Sequence, residues 1–137
     1  MFLLLAALFA TAPPTSAALA LYEAAAAGDL PKFEKALEAA KDSVESMPLG
    51  EQRNALRRAI IVSTDLDRIW RHDEIYWDEE SLPDYYDRLA GEYADFEHFI
   101  TPFRVVGKSG RVFYPRRETR DFLLKKLKPA NSKKRST

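Results

Sequence analysis

The sequence has no cysteine, which excludes disulfides, zinc–thiolate centres and thiol nucleophiles. Its only histidines are His72 and His98, so a zinc site would have to draw its other ligands from carboxylates. The GxxxxGK[ST] phosphate-loop pattern is absent. Gly107-Lys108-Ser109-Gly110 lies between two β-rich runs, which makes it a hairpin turn. No internal repeat is present. The longest apolar run, Phe2 to Ala10, has nine residues, against about 20 for a membrane-spanning helix. Net charge is also lacking, because 21 Lys and Arg balance 21 Asp and Glu.

That zero conceals a strong polarity. Asp65 to Glu97 holds twelve acids and three bases, whereas Phe103 to Thr137 holds two acids and twelve bases. Such segregation points to charged docking surfaces. With 46% apolar residues in 137, the chain is long enough for one globular domain and too apolar for global disorder.

The N-terminus reads as an address. Pro13 and Pro14 break the apolar run, and Ala18-Leu19-Ala20 fits a signal-peptidase site with cleavage after Ala20, or alternatively after Ala17. Residues 1–20 are therefore expected to be a targeting segment. No Lys or Arg precedes the run: either the signal is atypical, or an upstream region precedes Met1, as in a two-part organelle precursor whose charged part lies upstream.

Along the rest of the chain, Leu21 to Ala27 favours helix and Gly28 stops it. Asp29 caps a second helix with Pro31 in its first turn. Phe33, Ala36, Leu37, Ala40 and Val44 form its apolar stripe. Met47 to Gly50 is a turn, and a long helix follows from Glu51 to about Trp70. His72 to Glu80 is acidic and aromatic, and reads as an irregular connection. Ser81 and Asp84 resemble a capping box opening a helix through Leu82, Tyr85, Tyr86 and Leu89, followed by Phe96, Phe99 and Ile100. FRVV and RVFY form a hairpin. A last helix from Arg117 to about Leu127 puts Phe122, Leu123 and Leu127 on one face. The expected fold is mainly α. It is a small up-and-down bundle of about four helices over residues 21–101, then a β-hairpin and a final basic helix over 102–128, with a flexible basic tail at 129–137.

No catalytic, metal or cofactor residue is assigned. Ser63 falls inside a helix and Ser81 at a cap, without a placed base and orienter. Asp65 and Asp67 lack the central Gly of a calcium loop. His98 sits between Phe96 and Phe99, where it flanks the core. Two surfaces are the candidates. The basic one comprises Arg116, Arg117, Arg120, Lys125, Lys126 and Lys128; the acidic and aromatic one comprises Asp73, Glu74, Tyr76, Trp77, Asp78 and Glu79, with Tyr76 and Trp77 as an exposed patch. The basic surface suits an acidic protein face, an anionic membrane or nucleic acid, or is simply a solvated helix. An exported protein seldom meets nucleic acid, so that target is set aside.

A resemblance makes this more specific. LPKFEKALEAAKDSVESM, NALRRAIIVSTDLDRIW and LPDYYDRLAGEYADFEHFI, within Leu30 to Ile100, resemble the small extrinsic subunits of photosystem II. These are the Q-type subunit and the additional extrinsic subunit of diatom-type algae. The spacing from Leu56-Arg57-Arg58 to Asp65-Leu66 is similar to a helix of the Q-type bundle, and the alanine-rich leader looks like the second half of a lumenal targeting signal. The hairpin and basic C-terminus depart from the Q-type plan and suit the algal variant. The resemblance implies a non-enzymatic, cofactor-free protein of the thylakoid lumen, monomeric when free, that docks on a larger membrane complex through charge and stabilises its oxygen-evolving centre. The alternative is a bacterial periplasmic or secreted helical adaptor for an anionic partner or membrane.

Overall fold

The computed structural model describes residues 15–129. Most of the expected targeting segment and residues 130–137 of the expected basic tail lie outside them. The described residues form six helices and a small three-stranded antiparallel sheet, and fall into two compact units, 15–61 with 127–129, and 62–126.

In the first unit, α1 (Ser16–Ala26) begins at Thr15, whose hydroxyl accepts from the Ala18 amide at 3.2 Å. The helix thus starts earlier than the expected Leu21 and takes in Ala18-Leu19-Ala20, with Ala18 and Leu21 buried. It ends on two paired bonds, Gly28 N to Ala25 O and Asp29 N to Ala24 O, both 3.1 Å. These close a left-handed cap in which Gly28 (φ 74°) has no Cβ to clash. Asp29 at once caps α2 (Leu30–Glu45) by accepting from Lys32 N at 3.0 Å. The two helices therefore pack as a tight hairpin, burying Leu21 and Ala24 on one and Phe33, Leu37, Ala40 and Val44 on the other. Arg53 Nε, on α3 (Glu51–Trp70), donates to Val44 O at 3.3 Å, adding a side-chain bond to a carbonyl at the end of α2 that also accepts from Met47 N at 3.3 Å.

In the second unit, the C-terminal half of α3 contributes Val62, Leu66 and Ile69 to the core. β1 (Tyr76–Trp77) follows, then α4 (Tyr85–Glu92), α5 (Phe96–Ile100) and a 3-10 turn (Thr101–Phe103). β2 (Val105–Val106), β3 (Val112–Pro115) and α6 (Arg116–Leu127) complete the chain of elements. The strand order is β1-β3-β2, with Trp77 opposite Tyr114 and Val106 opposite Val112. The β2–β3 turn closes with Gly107 N to Arg111 O at 2.8 Å and Gly110 N to Gly107 O at 3.0 Å. Gly110 is left-handed (φ 86°) at the bulge position that this turn requires.

Two local expectations are corrected. The segment 72–80 is not wholly irregular, because Tyr76 and Trp77 form an edge strand. Ser81 does not cap a helix; it folds back on Asp78 (Ser81 N to Asp78 Oδ1, 2.9 Å; Asp78 N to Ser81 Oγ, 3.1 Å). α4 starts four residues later, after Asp84 in a left-handed conformation (φ 62°) that Asp tolerates. The cap comes from Glu79, whose carboxylate accepts from Asp84 N at 3.1 Å and Tyr86 N at 3.2 Å.

Candidate docking surface

The acidic and aromatic segment is held from within by Trp77. Its indole is fully buried, stacked on Tyr114 with centroids 4.7 Å apart and edge-on to Tyr85 at 5.0 Å. Its Nε1 donates to Thr119 Oγ1 at 2.9 Å, and Thr119 donates on to Pro115 O at 2.8 Å. Trp77 is therefore not part of an exposed patch. A large ring with a single donor is favoured inside once that donor has a partner, and β1 turns it inward.

Asp78 is likewise withdrawn. It is buried and bonded to the Arg111 guanidinium, which also reaches Glu80 at 3.1 Å. The Arg111 hydrogen bond and the Ser81 turn outweigh burial and lower its carboxyl from 3.8 to about 2. Glu79 is spent on the α4 cap. Of the acidic and aromatic candidates, Asp73, Glu74, Tyr76 and the capping Glu79 stay at the surface, with Ile75, between Glu74 and Tyr76, 78% exposed. The Tyr76 carbonyl accepts from His72 Nε2 at 2.9 Å, which closes part of the outer edge of β1.

The basic candidates lie on α6 and just beyond it. The amide of Arg116 donates to Ile75 O at 2.8 Å, so the helix starts directly against the acidic segment. The two segments of opposite charge, far apart in sequence, meet here, and Arg111 already neutralises part of the acidic one. Arg116 is half-buried, and its Nε is buried without a hydrogen-bond partner. Lys126 pairs with Asp95 at 2.8 Å, a bond that lowers the Asp95 carboxyl, and sits 5.2 Å over the Phe122 ring. Arg117, Lys125 and Lys128 are exposed and Arg120 is half-exposed, none with an ion pair among the described residues. Lys125 and Lys126 complement the negative end of the α6 dipole. Arg117 stands in the first turn, where the dipole opposes a cation, so helix stability does not account for it.

Sequence reasoning missed the polar cluster inside the second unit. Asp65 is buried, and Oδ2 accepts from Tyr93 Oη at 2.7 Å and from Arg88 Nη2 at 3.3 Å. Tyr85 Oη donates to the Asp65 backbone carbonyl at 2.6 Å. Burial raises the Asp65 carboxyl above 3.8 against the lowering effect of Tyr93 and Arg88, and burial also raises both phenols. These bonds tie α3 to α4. The signal for it is an acid set in the apolar stripe of Val62, Leu66 and Ile69. A weighed calcium ligand thus proves to be a core contact.

His98 is exposed and does not flank the core. Among the described residues no group of three or more His, Asp or Glu is placed to hold a metal ion, and no helix is long and apolar enough to cross a membrane. No protein-family model matches this chain, and no curated protein or solved structure matches it.

Proposed function

We propose that this chain is a non-enzymatic docking subunit of an exported assembly. In the form that the sequence resemblance favours, it is an extrinsic subunit on the lumenal face of photosystem II that stabilises the oxygen-evolving complex. The observation that carries the docking role is the exposed Arg117 and Lys125 of α6, with half-exposed Arg120, none of which has an ion pair among the described residues. Arg117 opposes its own helix dipole, an arrangement that an acidic partner face would offset. In this reading residues 21–101 make the small up-and-down bundle, and the hairpin with α6 is the C-terminal addition that meets acidic loops. Each exposed pair would contribute about 0–1 kcal/mol, so several must act together. A bacterial periplasmic adaptor for an anionic partner would use the same cations.

The test is sedimentation of the chain with photosystem II membranes stripped of extrinsic subunits, at low salt and at about 1 M salt, where the Debye length is about 3 Å. Saturable binding at low salt that high salt reverses, with recovery of oxygen evolution, is the expected result. Absence of low-salt binding by folded protein would overturn the photosystem reading.

A further inference from the structure

The outward face of the sheet is apolar where an antiparallel sheet with one face on the core ordinarily turns polar. Alternation along the strands puts Trp77 and Tyr114 inward, against Tyr85 and Tyr86 of α4. The opposite positions are Tyr76 on β1, Phe113 on β3 and Val105 on β2, with Val105 directly opposite Phe113. Tyr76 is 43% and Val105 47% exposed, and Ile75, just ahead of β1, is 78% exposed. This face dips into an open depression of about 500 Å³ between β1 and Arg111, with Ile75, Tyr76 and Phe113 as apolar walls.

Charge decides what suits it. Asp73 and Glu74 line the depression and have no ion pair among the described residues. Arg111, the cation of the lining, lies 5.1 Å over the Phe113 ring, is paired with Asp78 and Glu80 and also feels Glu74, so it is more than offset. The uncompensated charge is therefore negative, beside aromatic and aliphatic surface. A long side chain with an apolar stem and a cationic head matches both halves of that lining.

We propose that this depression receives an arginine or lysine side chain of a partner protein, its stem against Ile75, Tyr76 and Phe113 and its head against Asp73 and Glu74. The proposal rests on the docking reading but adds a second surface of opposite sign, one that uses none of the α6 cations. Its test needs no photosystem. The full chain is titrated into a fluorescein-labelled short peptide of alternating leucine and arginine, with the leucine–glutamate peptide for comparison. Saturable, salt-weakened binding of the arginine peptide is expected, whereas any leucine–glutamate peptide held by the α6 cations should be lost in Arg117→Glu with Arg120→Glu. Neutralising both carboxylates (Asp73→Asn with Glu74→Gln) should weaken arginine-peptide binding about tenfold, and Ile75→Ser, at a site too exposed to affect folding, should weaken it severalfold. Both variants should keep the wild-type unfolding midpoint, and Arg117→Glu should bind the arginine peptide as wild type does. No saturable binding of the arginine peptide, or binding untouched by both variants, overturns the proposal. Sedimentation velocity of the chain alone guards against a second copy as the occupant: a dimer dissolved by Ile75→Ser would overturn the partner assignment.

Discussion

Trp77 Nε1 donates to Thr119 Oγ1 at 2.9 Å, joining β1 to α6 across forty-two positions of sequence inside the core. Thr119→Val keeps the shape and strands the buried indole N–H, an expected loss of about 1–3 kcal/mol. Trp77→Ala removes the ring as well, and about 3–5 kcal/mol with it. Urea unfolding followed by circular dichroism checks both. A Thr119→Ser variant, which keeps the hydroxyl, should recover most of the first loss.

The Glu79 carboxylate caps α4 from outside the helix. Glu79→Ala should cost about 0.5–2 kcal/mol, as loss of a helix cap does, and Ser81→Ala should leave the start of α4 in place. Amide exchange at Asp84 and Tyr86 separates the two. Faster exchange in Ser81→Ala than in Glu79→Ala would reverse the assignment.

Asp78 and Asp65 should respond to acid in opposite directions. The Asp78 carboxyl is lowered in the fold, so its contribution is present above the unfolded value of about 4 and is lost as pH falls toward 2. An acid titration of Asp78→Asn should therefore show a shallower fall in stability through that window than wild type.

Asp65 is raised in the fold, so its ionisation is penalised, and the stability tied to its protonated form is lost as pH rises through the folded value. Tyr93→Phe removes a charge-assisted bond and should cost about 1.5–3 kcal/mol near neutral pH. That deficit should shrink as the carboxyl protonates. Urea midpoints of the variant and wild type at pH 7 and pH 4 measure it, and an equal deficit at both would refute the account.

The double variant Arg117→Glu with Arg120→Glu should fold as wild type, since neither side chain makes an ion pair among the described residues and a first-turn acid suits the α6 dipole. It should lose most low-salt binding to stripped photosystem II membranes. Retained binding would remove α6 from the docking role.

Local rules were enough for much of the fold. Gly28, Asp29 and Pro31 announce the turn between α1 and α2, the 3.6-residue stripe from Phe33 to Val44 marks the buried face, and the β-rich runs around Gly107 and Gly110 mark the hairpin. Each is decided within a few residues by dihedral preference or helical period. Segregation of charge was equally plain. Which of those charges remain available was not. The inward turn of Trp77, the pairing of Asp78 with Arg111 and the capping by Glu79 depend on partners far away in sequence or on an unusual local path. Asp65 inside an apolar stripe finds its donors only when α4 lies against α3. The sequence alone therefore determined most of the elements and the sign of the surfaces, but not β1 or the start of α4. The tertiary structure decided which polar groups are spent on holding the elements together and which are left to face solvent, because a buried donor or carboxylate must find its partner wherever the packed chain brings one within reach.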